Sequence, residues 1–270
     1  MKIAFLGGGN MASALIGGLA AKGYDRRSIS VVEISREARE RLGAQHAVHA
    51  SPKPDAATME ANILVLAVKP QDMRAALLGF SWTPNEKLVI SIAAGVRVDA
   101  LSRWLGGHRK LVRCMPNTPA LIGAGIAGMY ALPEVSEVER KKAESILAAV
   151  GEVVWVAEER LLDPVTALSA SGPAYVFWFI EQLAASGEKL GLPGDTARKL
   201  AMQTVLGAAK LAAQSDKPPA ELRKQVTSKG GTTEAALNVF NEEKLAERLM
   251  KALEAASRRG AVLGDELGKD

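Results

Sequence analysis

Two short turns in the sequence contain the residue types that bind anions through the backbone. The first turn, Gly7 to Ala12, matches the pattern G-x-G-x-x-A. Glycines at these positions allow a tight bend and a close approach of backbone to a pyrophosphate, and a small final residue lets the helix pack closely on the strand. Free N–H groups at the start of a helix attract phosphates. We therefore predict a dinucleotide-binding turn formed by Gly7, Gly8, Gly9, Asn10, Met11 and Ala12.

The second turn lies near the C-terminal end and combines two glycines with hydroxyl side chains. It precedes an apolar helix predicted at Ala235–Phe240. Successive amides and hydroxyls at such a turn make a small anion pocket that suits a carboxylate. An ordinary helix cap, with threonine at the cap and an acid after it, has the same pattern. Both interpretations stay open for the residues concerned, which are Ser228, Gly230, Gly231, Thr232 and Thr233.

Three other segments place small or rigid residues after predicted strands. Ligands of open α/β sheets bind beyond the carboxyl ends of the strands, and small residues there allow a close approach. A charged lysine in the first segment can meet the cofactor, although a solvent-exposed lysine has the same sequence context. The predicted cofactor contacts in these segments are Ala67, Val68, Lys69, Pro70, Ala93, Gly95 and Asn117.

Glu33 ends the second predicted strand. An acid at this point usually bonds the ribose 2′-hydroxyl of NAD. Its carboxylate would repel the 2′-phosphate of NADP, whereas Ser35 and Arg36, directly after it, can hold that phosphate. A solvated acid at a strand end is an equal alternative for Glu33. The residues therefore leave the choice between NAD and NADP open.

The elements that would position these residues follow two different patterns along the chain. Short apolar runs alternate with amphipathic stretches in the N-terminal part, and near-continuous apolar runs fit strands buried on both faces of a parallel sheet. This alternation predicts an α/β doubly wound, Rossmann-like domain over residues 1–158. The predicted strands are Lys2–Leu6, Ile29–Glu33, Ile63–Val68, Leu88–Ile92, Leu111–Met115, Ile126–Tyr130 and Val153–Val156, and the predicted helices include Met11–Lys22 and Ser136–Val150.

Residues 159–270 are predicted to form an all-helical domain. Long helices with apolar residues at helical spacing are expected at Leu161–Leu190, Asp195–Ala213 and Glu242–Val262. These helices are too apolar to bury one another fully in so small a domain. The pattern therefore favours dimerisation through this part of the chain.

Composition excludes several classes of protein. Of the 270 residues, 48% are hydrophobic and 24% charged, which is typical of a globular protein and not of a disordered chain. The single cysteine, Cys114, rules out an intrachain disulfide, and the absence of a Cys/His cluster predicts no metal site. A net charge of +4 is too small to indicate a nucleic-acid partner. Since no apolar run could span a bilayer, we predict a cytoplasmic protein without a membrane partner.

The whole chain resembles the pyrroline-5-carboxylate reductase family, which makes L-proline from a cyclic imine. Six segments of this chain match the family and occur in the same order as in the family. The last two of them, Ser171–Phe177 and Val226–Ala236, are the most specific. Alanine at position 170, where the family usually has glycine, and Glu33 depart from the pattern. The matching segments are Phe5–Ala12, Ala67–Pro70, Ser91–Val96, Arg113–Ala120, Ser171–Phe177 and Val226–Ala236.

The resemblance implies reduction of the imine by hydride transfer from NAD(P)H, with NADP as the family's usual cofactor. It assigns the substrate carboxylate to the Ser228–Thr233 turn, a hydrogen bond to the ring nitrogen to Thr233, and part of the pocket lining to Ser171 and Pro173. It also implies a homodimer, which in the family often assembles into a decamer of five dimers. Two alternatives remain, a 3-hydroxyacid-type dehydrogenase and a non-catalytic NADP(H)-sensing protein.

Overall fold

A computed structural model describes residues 1–78 and 87–269. Its strands form one eight-stranded sheet in the order β3-β2-β1-β4-β5-β6-β7-β8. Neighbouring strands are parallel except for the pair β6 and β7, which is antiparallel. The strands are β1 (Ile3–Leu6), β2 (Ile29–Val32), β3 (His49–Ser51), β4 (Ile63–Leu66), β5 (Leu88–Ser91), β6 (Leu111–Met115), β7 (Gly125–Ala131) and β8 (Gly151–Trp155).

Helices connect the strands and form nearly all of the C-terminal part. In the described residues the α-helices are α1 (Asn10–Ala21), α2 (Arg36–His46), α3 (Ala56–Met59), α4 (Met73–Leu78), α5 (Val98–Trp104), α6 (Glu137–Leu147), α7 (Leu162–Val165), α8 (Gly172–Lys189), α9 (Gly194–Gln214), α10 (Pro219–Gln225), α11 (Thr232–Glu242) and α12 (Leu245–Leu267).

The sheet is buried on both faces because successive side chains of each strand point to opposite sides. Ile3 and Phe5 of β1 pack with side chains from α1, α2 and α6 on one face. Ala4 and Leu6 pack with side chains from α4 and α5 on the other. The predicted doubly wound α/β domain, followed by a helical C-terminal part, is therefore confirmed.

Local differences from the predicted elements have physical causes. The three-residue strand β3 was not predicted, since it begins at the exposed His49 and shows no apolar run. Helix α10, which is not among the predicted helices, begins at Pro219, directly after Pro218. Proline fits the first turn of a helix, where its missing N–H has no intrahelical partner anyway.

The single helix predicted at Leu161–Leu190 is divided in the structure. Helix α7 continues into a π-helical turn, Thr166–Ala170, before α8 begins at Gly172. The π geometry is visible in the bond from the Ser171 N–H to the Thr166 carbonyl at 2.9 Å. Such wide turns often occur at functional sites, and the Gly172-Pro173 pair follows directly.

The chain forms two compact units by its contacts. One contains Met1–Ser171 together with Ala255–Asp270, and the other contains Gly172–Glu254. Helix α12 therefore begins in the second unit and ends in the first. The domain boundary predicted between residues 158 and 159 stays a prediction.

The C-terminal part of α12 is held to the first unit by charged and apolar contacts. The Arg97 guanidinium donates to the Ala261 carbonyl at 3.2 Å and lies 3.4 Å from the Asp265 carboxylate. A Cβ built on Gly95 would lie 3.0 Å from Cδ1 of Leu267. These contacts place the end of α12 beside the loop that follows β5.

Two features are absent from residues 1–78 and 87–269. No helix there is long and apolar enough to cross a membrane. Residues 1–78 and 87–269 also contain no group of three or more His, Cys, Asp or Glu side chains suited to hold a metal ion.

Candidate active site

The parallel strands bring most of the predicted cofactor residues to one edge of the sheet. In the strand register, Leu6 at the end of β1 pairs with Val32 of β2 and with Leu66 of β4, and Leu66 pairs with Ser91 of β5. The loops that follow these four strands therefore begin side by side. They contain the Gly7–Gly9 turn, Glu33 with Ser35, the Ala67–Pro70 segment and the Ala93–Gly95 segment.

Gly7 and Gly9 have the two properties that a phosphate-binding turn requires. Gly7 has a φ of +101°, and a Cβ on it would lie 2.7 Å from the carbonyl carbon of Ala67. Any other residue would thus collide with the neighbouring loop. At Gly9, in contrast, a Cβ would have no heavy atom of the described residues within 4 Å. The backbone at Gly9 is open to a bound group.

Helix α1 begins directly after Gly9, which caps it without a side-chain hydrogen bond. The N–H groups of the first helical turn have no intrahelical acceptor, and the helix dipole makes this end positive. A pyrophosphate fits such a place, since its oxygens accept hydrogen bonds and carry negative charge. Asn10 and Met11 supply the first amides, while the buried Ala12 packs in the core.

Glu33 is bonded to the backbone on both sides. Its Oε2 accepts a hydrogen bond from the Gly8 N–H at 2.8 Å, and its Oε1 accepts one from the Ser35 N–H at 2.8 Å. Arg39 of α2 donates to the carbonyls of Glu33 and Ile34, at 2.7 and 2.9 Å. Neither sequence interpretation of Glu33 included these bonds, and Arg39 was missed altogether. The sequence contains one indication of these contacts, namely Ser35, a residue type that commonly caps a helix and that caps α2 here.

The remaining predicted cofactor residues differ in their surroundings. Lys69 is exposed and precedes a short 3₁₀ turn, Pro70–Asp72. Ala93 is buried, with its N–H directed to Oγ of Ser91 at 3.3 Å. Gly95 has a φ of +77°, a conformation that favours glycine. Together these residues give the sheet edge a surface of small residues beside the exposed positive charge of Lys69.

The buried Asn117 holds its own loop in place. Its Oδ1 accepts a hydrogen bond from the Ile126 N–H at 2.9 Å, and its Nδ2 donates to the Ser169 carbonyl at 3.2 Å. The amide thereby joins the segment after β6 to β7 and to the π-helical turn. This arrangement gives Asn117 a structural role at the same edge of the sheet.

The second predicted turn belongs to the second unit. Gly230 has a φ of +74°, and a Cβ on Gly231 would lie 2.7 Å from Oγ of Ser228. Position 230 therefore favours glycine, whereas a Cβ at position 231 would have to displace the Ser228 hydroxyl. Helix α11 begins at Thr232, and its cap is Gly231, with no side-chain cap bond. The ordinary threonine cap considered from the sequence is thus not what the structure has.

The first turn of α11 leaves amides and hydroxyls available for an anion. The N–H groups of Thr232 and Thr233 lie at the positive end of an 11-residue helix, next to their own hydroxyls. Two donors of the turn are already used, because the Gly230 N–H bonds Oε2 of Glu234 at 2.7 Å and the Gly231 N–H bonds the Ser228 carbonyl at 3.0 Å. A small carboxylate would therefore have to bind through the remaining amides and the hydroxyls.

Ser171 and Pro173 stand on either side of the start of α8. Ser171 ends the first of the two segments that form the first unit and follows the π-helical turn, while Pro173 lies in the first turn of α8 in the second unit. Both side chains are partly exposed. The sequence motif Ser-Gly-Pro thus coincides with the point where the chain passes between the units.

Burial shifts the pKa values of two histidines and of the cysteine in the first unit. Burial lowers the pKa of His46 and of His108, so both rings are neutral at pH 7. His46 shares a 2.7 Å hydrogen bond with Ser13, and His108 is 3.3 Å from the Lys110 carbonyl. Burial also raises the pKa of the Cys114 thiol, which makes it a poor nucleophile.

Comparison with known proteins gives a consistent relationship along the whole chain. Residues 159–263 match the family model described as pyrroline-5-carboxylate reductase dimerisation. Residues 2–95 match a model described as NADP oxidoreductase, coenzyme F420-dependent. The first match covers most of the helical part, and the second covers the first five strands of the sheet. A dimerisation domain supports a homo-oligomer.

Individual relatives agree with the family models. The pyrroline-5-carboxylate reductase of Pseudomonas aeruginosa is 44% identical over 99% of this chain and 98% of its own, and that of Synechocystis is 40% identical over 98% of both. The solved structure of the Coxiella burnetii enzyme has a TM-score of 0.91 at 40% identity, covering 100% of this chain and 99% of its own.

A second solved structure, of the Plasmodium falciparum enzyme with NADP bound, has a TM-score of 0.83 at 29% identity over 98% of both chains. The resemblance noted in the sequence is thereby confirmed, since fold and sequence agree over nearly the full length. This chain belongs to the pyrroline-5-carboxylate reductase family.

Proposed function

We propose that this chain reduces 1-pyrroline-5-carboxylate to L-proline with a hydride from NADPH. The observation that carries the proposal is a relationship of 44% identity to a pyrroline-5-carboxylate reductase over 99% of the chain, so that it includes both anion-binding turns. A bound nicotinamide supplies the hydride. The residues of this chain then have to bind, orient and shield the two reactants.

The proposed roles follow from the two turns. The amides of Gly9, Asn10 and Met11 bind the diphosphate at the start of α1. The turn from Ser228 to Thr233 binds the carboxylate of the imine with amides and hydroxyls. Holding the reacting carbons in line is worth several powers of ten in rate. The joining of both turns in one site is part of the proposal.

Thr233 is proposed to hydrogen-bond the ring nitrogen of the substrate. The C=N carbon takes the hydride, and the nitrogen takes a proton to become the secondary amine of proline. A threonine hydroxyl is too weak an acid to supply that proton, so we assign the proton to water and orientation to Thr233. Ser171 and Pro173 are proposed to line the substrate pocket.

NADP is the proposed cofactor, with NAD as a second substrate. Two findings support it, the NADP oxidoreductase model matched by residues 2–95 and the bound NADP in the Plasmodium falciparum relative. The proposed cofactor contacts also include the loops at Ala67–Pro70 and Ala93–Gly95, together with Ser35. Asn117 is proposed to act by holding the adjacent loop.

The proposed assembly is a homodimer, with a decamer of five dimers as its larger form. The match to the dimerisation model supports the dimer. The large apolar side chains that α8 exposes in the single chain also support it, among them Phe177 and Trp178. We also propose a cytoplasmic location, which rests on the use of a single cysteine.

The proposal is tested by following cofactor oxidation with 1-pyrroline-5-carboxylate, using NADPH and NADH side by side. We expect turnover with both cofactors and a higher kcat/KM with NADPH. Activity with a 3-hydroxyacid and none with the imine would instead favour the 3-hydroxyacid-type dehydrogenase. Cofactor binding without turnover of either substrate would favour the NADP(H) sensor.

A further inference from the structure

The carboxylate of Glu33 connects two segments of the predicted dinucleotide site, the Gly7–Gly9 turn and the start of α2. One oxygen bonds the Gly8 N–H in the phosphate-binding turn, and the other bonds the Ser35 N–H at the start of α2, both at 2.8 Å. Hydrogen bonds to a charged acceptor are about twice as strong as neutral ones. Glu33 therefore acts as a bridge between the phosphate turn and the loop expected to face the adenosine.

Packing fixes both ends of this bridge. Gly8 is buried, and a Cβ on it would lie 2.6 Å from Cδ1 of Leu42 and 3.3 Å from Cβ of Glu33. On the other side, Arg39 holds the backbone carbonyls of Glu33 and Ile34. Neither segment can move far without breaking a bond to Glu33.

Resting on the function proposed above, we propose that Glu33 is a positioning residue that supports binding of NADH and NADPH equally and does not select between them. An acid that reads the ribose must direct an oxygen to its hydroxyls, and such an acid favours NAD over NADP. In Glu33 each oxygen already bonds a backbone amide. These two bonds stabilise the charged carboxylate and use part of its capacity to accept a bond from a ribose hydroxyl.

Selection between the two cofactors then falls to the residues after Glu33. Ser35 caps α2, and Arg36 is the first residue of that helix. The Arg36 side chain is 85% exposed and bonds Glu40 through Nε at 2.7 Å, so the terminal nitrogens of its guanidinium face solvent. A guanidinium in this position suits a phosphate dianion.

The test measures the dissociation constants of NADPH and NADH by fluorescence titration for the wild type and for Glu33→Gln. Glutamine keeps the shape of the side chain, but its NH₂ group is a donor. It would face one of the two backbone N–H groups, so one of the two hydrogen bonds would be lost. We expect both dissociation constants to rise by about tenfold, as for the loss of one hydrogen bond to a charged group, and their ratio to change by less than about threefold.

Two further variants distinguish the effect of the two hydrogen bonds of Glu33 from the effect of its negative charge. Glu33→Asp keeps the charge but withdraws the carboxylate by one carbon, so it should weaken both cofactors as Glu33→Gln does. Glu37→Gln removes the same charge from the first turn of α2 and should leave both constants within about twofold, because the bridge is intact. Thermal unfolding of each variant shows the folded fraction, and a merely structural role would lower that fraction without changing the dissociation constants.

Three results would overturn the proposal. A loss confined to NADH, with NADPH binding unchanged or tighter, would make Glu33 a reader of the ribose. Unchanged binding of both cofactors in Glu33→Gln would remove any role in positioning. Equal weakening by Glu37→Gln would attribute the effect to charge alone. Because the titrations contain no imine, they are independent of whether the chain reduces pyrroline-5-carboxylate.

Selectivity is checked with Arg36→Gln. This variant should raise the dissociation constant of NADPH by about tenfold while that of NADH stays within about twofold, the opposite pattern to Glu33→Gln. Selectivity that is unchanged in Arg36→Gln and altered in Glu33→Gln would return the choice of cofactor to Glu33.

Discussion

Single residues of the two turns could be predicted where the conformation of the turn itself requires a particular residue type. Gly7 must be glycine because its φ is +101° and the Ala67 backbone is 2.7 Å from its missing Cβ, and the motif contains that information. The bonds of Glu33 could not be predicted in the same way. They depend on where the chain turns after β2, which no residue pattern specifies.

Thr233 provides a test of the substrate turn at the scale of one hydroxyl. Thr233→Val keeps the size of the side chain but removes the hydroxyl, and loss of one hydrogen bond to the reacting ring corresponds to about 1–2 kcal/mol, or roughly 5- to 30-fold in kcat/KM for the imine. Thr233→Ser keeps the hydroxyl and should stay within about threefold of wild type. Steady-state kinetics with the imine varied would measure both.

The cofactor serves as the internal control for this pair of variants. Thr233 lies in the second unit and is assigned to the substrate, so the dissociation constant of NADPH should be the same in all three proteins. An undiminished kcat/KM in Thr233→Val would exclude the hydroxyl from the reaction.

The strands that could be predicted from the sequence include those that are buried along their whole length. The strands β1, β2, β4 and β5 are buried at every position, and continuous or near-continuous apolar runs indicated each of them. In contrast, β3 is too short and polar for a periodic signal, and the π-helical turn has the same apolar spacing as an α-helix. Both depend on tertiary contacts that a local pattern does not contain.

Packing of α1 gives a prediction about stability. A Cβ on Gly18 would lie 2.5 Å from the Ala149 carbonyl oxygen and 2.7 Å from Cγ1 of Val150. Gly18→Ala should therefore destabilise the protein by about 1–3 kcal/mol, since overpacking against backbone outweighs the gain in helix propensity. Chemical denaturation would measure the change in the free energy of unfolding.

Gly43 in α2 is the matched control for this substitution. No heavy atom of the described residues lies within 4 Å of the position of its Cβ. Gly43→Ala should stabilise the protein by about 0.5–1 kcal/mol through helix propensity and reduced freedom of the unfolded chain. Equal effects of the two alanines would mean that α1 is not packed as described.

For the whole molecule, the apolar helices of the C-terminal part led to the prediction of dimerisation. In the single chain, α8 exposes 64% of Phe177 and 61% of Trp178, and large apolar side chains exposed together mark interaction surfaces. The sequence could show that these helices lack partners. It could not show which apolar face of each helix remains uncovered.

Light scattering would test the assembly. We expect a mass of at least twice 28.5 kDa, and ten times that value for the decamer. Trp178→Glu should reduce the mass towards that of one chain, because a charge is costly to bury in an apolar interface. Val138→Glu makes the same kind of change at a side chain that is 63% exposed on α6, and the mass should not alter. An unchanged mass in Trp178→Glu would place the interface elsewhere.

The last helix also has a consequence for how the protein is made. Its final turns contribute Asp265 and Leu267 to a unit that otherwise ends at Ser171, so the first 171 residues emerging from a ribosome do not contain all of that unit. Domains generally fold in order during synthesis. Here the loop at Gly95 reaches its final surroundings only when translation has passed Leu267. Premature termination shortly before Leu267 would thus disturb the first unit, which contains the dinucleotide-binding turn, as well as the last helix.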